Sequence, residues 1–188
     1  MKLSSRLLSC ASMVRPGGVA ADVGTDHGYL AVYLVEQGIC PVVFASDIRE
    51  GPLSAARRSA EKAGLTEQIR FCLSDGLREL PVSGIDTVIC AGMGGENIIH
   101  ILESEPKVFD PEKQLILQPQ SKTAELRRWL GETVSLSGGK ACLRTESSSI
   151  PRWRRNTGAE ARFPLWNSIC RKRCCGAAIR WSRPIFPG

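Results

Sequence analysis

The stretch ADVGTDHGYL, residues 21–30, gathers Asp22, Gly24, Asp26, His27 and Gly28 around one turn. Glycines after an apolar run let backbone come close to a nucleotide. A dinucleotide would lay its pyrophosphate against the amides of the following helix, in a turn of the G-x-G-x-x-G kind that carries no side-chain charge. Here Asp26 occupies that place and repels phosphate. A cofactor bearing a sulfonium and an α-ammonium reverses the sign: a nearby carboxylate attracts it by about 1–4 kcal/mol at an effective dielectric of roughly 80 to 20. The turn therefore suits S-adenosylmethionine, and a nicotinamide-dependent oxidoreductase is the disfavoured alternative.

Two further acids fall where the same ligand would use them. Asp47 ends a second apolar run, PVVFASDI, and is placed to accept both ribose hydroxyls. Asp75 ends a third, IRFCLSDG, where it could accept an adenine amino group while Gly76 lets backbone lie against the ring. Each has a plainer use: Asp22 could bond within the glycine turn, Asp47 could cap the next helix, and Asp75 could serve turn chemistry. His27 could be a structural residue of its turn, and His100, inside an apolar helix, reads as structural. The combination of three acids on successive strand ends with D-x-G-x-D-x-G is more specific than any one of them.

The elements that must position these residues alternate. Strands are expected at 19–24, 41–48, 69–76, 84–95 and 113–120, with helices at 29–38, 51–65, 96–104 and 123–130. Pro52 suits the first turn of the second of these helices and Gly64 its end. Alternation at this length implies parallel βαβ units, hence an α/β, doubly wound, mostly parallel sheet whose ligand lies at the carboxyl ends of the strands.

No apolar run approaches the roughly 20 residues that span a bilayer. In MKLSSRLLSC, Arg6 and the later Arg15 interrupt any signal-like core, so an amphipathic helix capped near Ser4 or Ser5 is expected, in a cytoplasmic protein. The eight cysteines form no CxxC pair and no metal site is expected; Cys10, Cys40, Cys72 and Cys90 read as buried free thiols. The net charge of +6 is local. Residues 1–130 carry 14 Lys+Arg against 16 Asp+Glu, leaving 11 against 3 for residues 131–188, which also hold three of the four Trp. Three readings compete for that tail: an RNA-binding arm, a small second domain, or translation in a shifted frame. Its mixture of Trp, Cys, Ile and Arg fits disorder badly. With GC-rich codons assigned, reading one nucleotide out of register from Arg152 to Pro187 opens an acidic, amphipathic stretch, which favours the shifted frame.

RLLSCASMV, ADVGTDHGYLAVYL, ASDIREGPLSAA, GLTEQIRFCLSDGL, IDTVICAGMGG and LILQPQ together resemble, in order, the bacterial tRNA (adenine-22-N1)-methyltransferase family across residues 1–130. The resemblance implies a class I, Rossmann-like, S-adenosylmethionine-dependent methyltransferase acting on N1 of an adenosine in tRNA. It implies Asp22, Gly24, Asp26, Gly28, Asp47, Ile48, Asp75, Gly76, Ala91 and Gly92 as cofactor residues, His27, Tyr29, Met93 and Gly94 on the substrate side, and Asp26 as the catalytic group. It also implies strands after residue 130 that the printed tail does not match, so the sheet is expected to be incomplete there. Another class I methyltransferase and a non-catalytic truncated homologue remain as alternatives. Arg57, Arg58, Lys62, Arg127 and Arg128 are candidate RNA contacts, against the plainer reading of solvated helix faces.

Overall fold

The structure, a computed structural model, describes residues 3–137 and 140–143, with side chains through residue 133. All lie in the first of the two units into which the chain divides, Met1–Ser148. Helix α1 (Ser5–Ala11) precedes β1 (Ala20–Val23), α2 (Tyr29–Glu36), β2 (Val43–Asp47), α3 (Glu50–Ala63), β3 (Ile69–Leu73), β4 (Thr87–Gly94), α4 (Gly95–Glu103), β5 (Gln114–Ser121), α5 (Thr123–Ser137) and β6 (Lys140–Leu143). The strands form one sheet in the order β3-β2-β1-β4-β5-β6, every pair parallel.

Period-two alternation divides the strands between two cores. Ala21, Val23, Val88, Cys90, Leu115 and Leu117 face α4 and α5; Ala20, Val43, Ala45, Ile89 and Ile116 face α1, α2 and α3. Both faces are covered, which is why these strands read as continuous apolar runs rather than as alternating ones. Helix α1 is capped as its sequence expects, Ser4 Oγ accepting from the Leu7 amide at 3.4 Å. Among the described residues no helix is long and apolar enough to cross a membrane.

Two elements differ from the expected alternation. No α-helix joins β3 to β4; the crossover is a chain of turns with a short 3-10 helix at Val82–Gly84, and Leu77, Leu80, Val82 and Ile85 bury themselves without one. Lys113 Nζ satisfies the carbonyls this leaves over, donating to Val82 O and Ile85 O at 2.7 Å each. The sheet also runs past residue 130. Helix α5 continues through Gly131, anchored by buried Leu126 and Leu130, and β6 follows, pairing Gln114 with Lys140 through Leu117 with Leu143. The basic tail from residue 144, with its shifted-frame reading, lies outside the described residues.

Cys10, Cys40 and Cys90 are buried free thiols, while Cys72 is only partly buried. Burial pushes Cys40 up to about 11 and Cys90 up to about 12, so both stay protonated and inert. His100 is exposed on α4.

Candidate active site

The sheet changes winding direction between β1 and β4, and the crevice at the carboxyl ends of that pair is where an open parallel sheet takes its ligand. The turn after β1 forms one wall. Its Gly24 and Thr25 amides both donate to Ser46 O, at 2.8 and 2.9 Å, so the end of β2 holds the turn in place. The turn needs left-handed backbone three times: Gly24 at φ 77°, Asp26 at 48° and Gly28 at 70°. Aspartate is one of the few residues with a side chain that tolerates that region. Gly28 is further constrained by packing, because a Cβ there would lie 2.8 Å from Ala56 Cβ on α3.

The acids divide by burial. Asp22 is 4% exposed, and its Oδ2 accepts the Thr25 hydroxyl at 2.7 Å. Burial, opposed by that hydrogen bond and reinforced by the charge of Asp47, pushes Asp22 up to about 6. Asp47 is also buried; its Oδ1 accepts the Arg49 amide at 2.9 Å, with the Arg49 guanidinium 3.8 Å away. The N-cap of α3 is Arg49 rather than Asp47, so Asp47 shapes the approach to the helix without being its cap. Next to it Ile48 is 64% exposed, an apolar side chain held in the open at a strand end. Asp75 is half-exposed and paired with Arg78 at 3.2 Å, and the adjoining Gly76 adopts φ 67°.

The end of β4 forms the opposite wall. Ala91, Gly92, Met93 and Gly94 are all partly buried, and the register slips between Ala91 and Met93 and again before Gly94. Gly92, at φ 83°, is the extra residue. A Cβ on Gly24 would lie 2.8 Å from the Met93 methyl, so the two walls meet at that point. At the rim, Asp26 is 73% exposed by its side chain and 3.6 Å from His27 Nε2, while His27 stacks on Tyr29 at 5.3 Å between ring centres.

Asp22, Asp26, Asp47, Ile48, Asp75 and the Ala91–Gly94 crest thus share one end of one sheet. The candidate RNA contacts are elsewhere: Arg58, Lys62, Arg127 and Arg128 are exposed on α3 and α5, and Arg57 is tied to Glu50 and lies over Phe71 at 5.6 Å. Sequence reasoning left out the hydroxyls beneath the acids. Ser46 and Ser74 are buried, and Ser74 Oγ donates to Gly76 O at 3.0 Å while accepting the Glu79 amide at 3.2 Å. The repeated Ser-Asp at 46–47 and 74–75 was the available signal. It also left out Gln118, fully buried, whose Oε1 accepts the Gly92 amide at 3.0 Å. Among the described residues no three His, Cys, Asp or Glu side chains group as metal ligands.

Carboxylates and glycine turns at the switch point of a Rossmann-like sheet define a protein built for an adenosine-type cofactor whose phosphates, if any, are kept away from the first turn. The chain belongs to the methyltransferase domain family, which it matches over residues 3–134. It is 38% identical over 130 residues to the tRNA (adenine(22)-N(1))-methyltransferase of Bacillus subtilis, covering 69% of this chain and 55% of that protein. The crystal structure of the B. subtilis m1A22 tRNA methyltransferase TrmK superposes with a TM-score of 0.66 at 38% identity, covering 70% of this chain and 56% of that one. A putative tRNA (m1A22) methyltransferase of Streptococcus pneumoniae, in complex with S-adenosyl-L-methionine, superposes with a TM-score of 0.65 at 37% identity, covering 70% and 62%. The chain spans about half the length of the curated relatives it matches.

Proposed function

We propose that this chain is a cytoplasmic, S-adenosylmethionine-dependent methyltransferase that methylates N1 of an adenosine in tRNA, of the position-22 type. One observation carries the reading. The place where a dinucleotide fold presents bare amides to a pyrophosphate holds Asp26 over buried Asp22, a pairing that favours a cationic methyl donor. The similarity to the B. subtilis enzyme over residues that include the whole turn supports the choice of nucleoside. Free Cys10, Cys40, Cys72 and Cys90 suit a reducing compartment.

The residues present fit the donor. Asp22 and the glycine turn would take its amino-acid end, Asp47 the ribose hydroxyls, and exposed Ile48 with Asp75 and Gly76 the adenine; Ala91 and Gly92 close the far side. When bound, S-adenosylmethionine supplies an electrophilic methyl group on sulfur. Adenine N1 brings its own lone pair, so the protein has to align it more than to deprotonate it. The target base must leave its stack to reach the crevice, where Met93 and Gly94 would flank it and the stacked His27 and Tyr29 at the rim would receive its neighbour. The exposed Asp26 carboxylate would accept the N6 amino proton in a hydrogen bond and oppose the positive charge growing on the ring.

The test is incubation of the purified chain with isotopically labelled S-adenosylmethionine and unmodified tRNA, followed by nucleoside mass spectrometry and primer extension. Labelled 1-methyladenosine at position 22 is expected. Label in protein or a small metabolite and none in tRNA would overturn the choice of substrate, and displacement of the donor by NAD would overturn the choice of cofactor.

A further inference from the structure

The β4–β5 pair contains an unusual junction. Ala91 pairs with Gln118 and Met93 with Pro119, so Gly92 stands outside the ladder with its amide pointing where a strand partner should be. Pro119 has no N–H and interrupts the ladder from the other side. The gap is filled by a side chain. Gln118, 0% exposed, accepts the Gly92 amide through Oε1 at 3.0 Å and donates through Nε2 to Pro119 O at 3.3 Å. The orientation of this amide group is fixed by its neighbours, since only its oxygen can accept from Gly92 and only its nitrogen can donate to Pro119.

This bond sets where Met93 goes. The extra residue reverses the alternation of β4, and the Met93 methyl consequently reaches the Gly24 turn across the crevice. Gly92 itself accepts no side chain: it sits at φ 83°, and a Cβ would lie 2.9 Å from Arg6 Nη1. The crest therefore has no side chain of its own at its apex with which to anchor itself, and Gln118 anchors it from beneath.

We propose that Gln118 is a positioning residue of the transfer site, its buried side-chain amide holding the Gly92 bulge and through it Met93 against the cofactor turn. The inference rests on the methyl-transfer reading for its catalytic consequence, but not for its structural one. Two variants of the full chain separate the two. Gln118→Leu keeps the bulk and loses the acceptor. Gln118→Glu keeps an acceptor at the same atom and, when protonated, also keeps a donor to Pro119.

Amide hydrogen exchange decides the structural half. In Gln118→Leu, exchange at Gly92 is expected to rise by about tenfold or more while Ala21 and Val23 in β1 stay within about twofold. Unchanged exchange at Gly92, or a rise throughout the sheet, would overturn the proposal. Kinetics decide the catalytic half. Gln118→Leu is expected to lower kcat by about 10²-fold while the KM for tRNA and the Kd for S-adenosylhomocysteine stay within about threefold. Gln118→Glu is expected to recover activity, more fully as pH falls and its carboxyl protonates. An unchanged kcat, or a parallel loss of cofactor affinity, would refute a positioning role. If the unaltered chain transfers no methyl group, the functional reading fails by itself, and exchange at Gly92 still decides what Gln118 does.

Discussion

The Thr25 hydroxyl donates to Asp22 Oδ2 at 2.7 Å inside a turn where nearly everything else about Asp22 opposes its charge. Burial and the neighbouring Asp47 outweigh that hydrogen bond, so Asp22 titrates near 6 in the folded chain against an ordinary value of 3.8. The sign of the linkage follows. Between the two values the folded state holds a proton that the unfolded state has released, so stability falls as pH rises, by about 3 kcal/mol in all once pH exceeds about 6. Asp22→Asn keeps the acceptor for Thr25 and removes the charge. Melting curves from pH 4 to pH 8 should show the variant gaining on the parent, with little difference at pH 4 and a higher Tm for the variant above pH 6.5. A difference that does not change with pH would mean that Asp22 is not the titrating group.

The same carboxylate predicts the opposite trend for binding. A cationic donor prefers ionised Asp22, so affinity for S-adenosylmethionine should rise by up to about tenfold per pH unit below 6 and level off above it. Titration calorimetry at pH 5, 6, 7 and 8 measures this directly. In Asp22→Asn the profile should be flat and the affinity low throughout. A stability cost in the empty protein is thus a binding gain in the loaded one.

Much of this site was legible because parallel strands covered on both faces are apolar runs, and such runs end visibly: Val23-Gly24, Asp47 and Asp75 mark three strand ends in the sequence. The crossover before β4 was not read as helix and is none, its Leu77, Leu80, Val82 and Ile85 lacking helical spacing yet covering the core. What escaped was anything set by a single residue. A one-residue bulge at Gly92 leaves no periodic trace, so neither the slip in β4 nor the role of Gln118 could be seen from spacing. A shift in composition marked residue 130, but α5 crosses it, because Leu126 and Leu130 hold that helix against the core whatever follows.

Gly28 offers a test of packing against backbone strain. Gly28→Ala places a Cβ 2.8 Å from Ala56 Cβ and 3.0 Å from Ala56 Cα at φ 70°, and should cost about 2–4 kcal/mol. Gly38, at φ 65° with nothing within 4 Å, supplies the control: Gly38→Ala should cost only the strain, about 1–2 kcal/mol. Urea titrations of both variants and of the Gly28→Ala, Ala56→Gly pair check the difference. Recovery of part of the loss in the pair is expected, since the crowding is relieved and the strain is not.

Asp26 carries the sharpest prediction about chemistry. It sits at φ 48°, where alanine is strained and asparagine is tolerated, so Asp26→Asn is the informative change. The substitution keeps an acceptor in the same backbone conformation and removes the negative charge. The side chain is largely exposed and makes its one described ionic contact with His27 at 3.6 Å, so little stability should be lost. If the carboxylate opposes the positive charge that develops on the adenine ring, kcat for 1-methyladenosine formation should fall by about 10²-fold or more while cofactor affinity changes by less than about threefold. If Asp26 instead serves mainly to attract the donor, affinity should fall and kcat at saturation should not. Single-turnover methyl transfer at saturating S-adenosylmethionine distinguishes the two, because it reads the chemical step without the binding step.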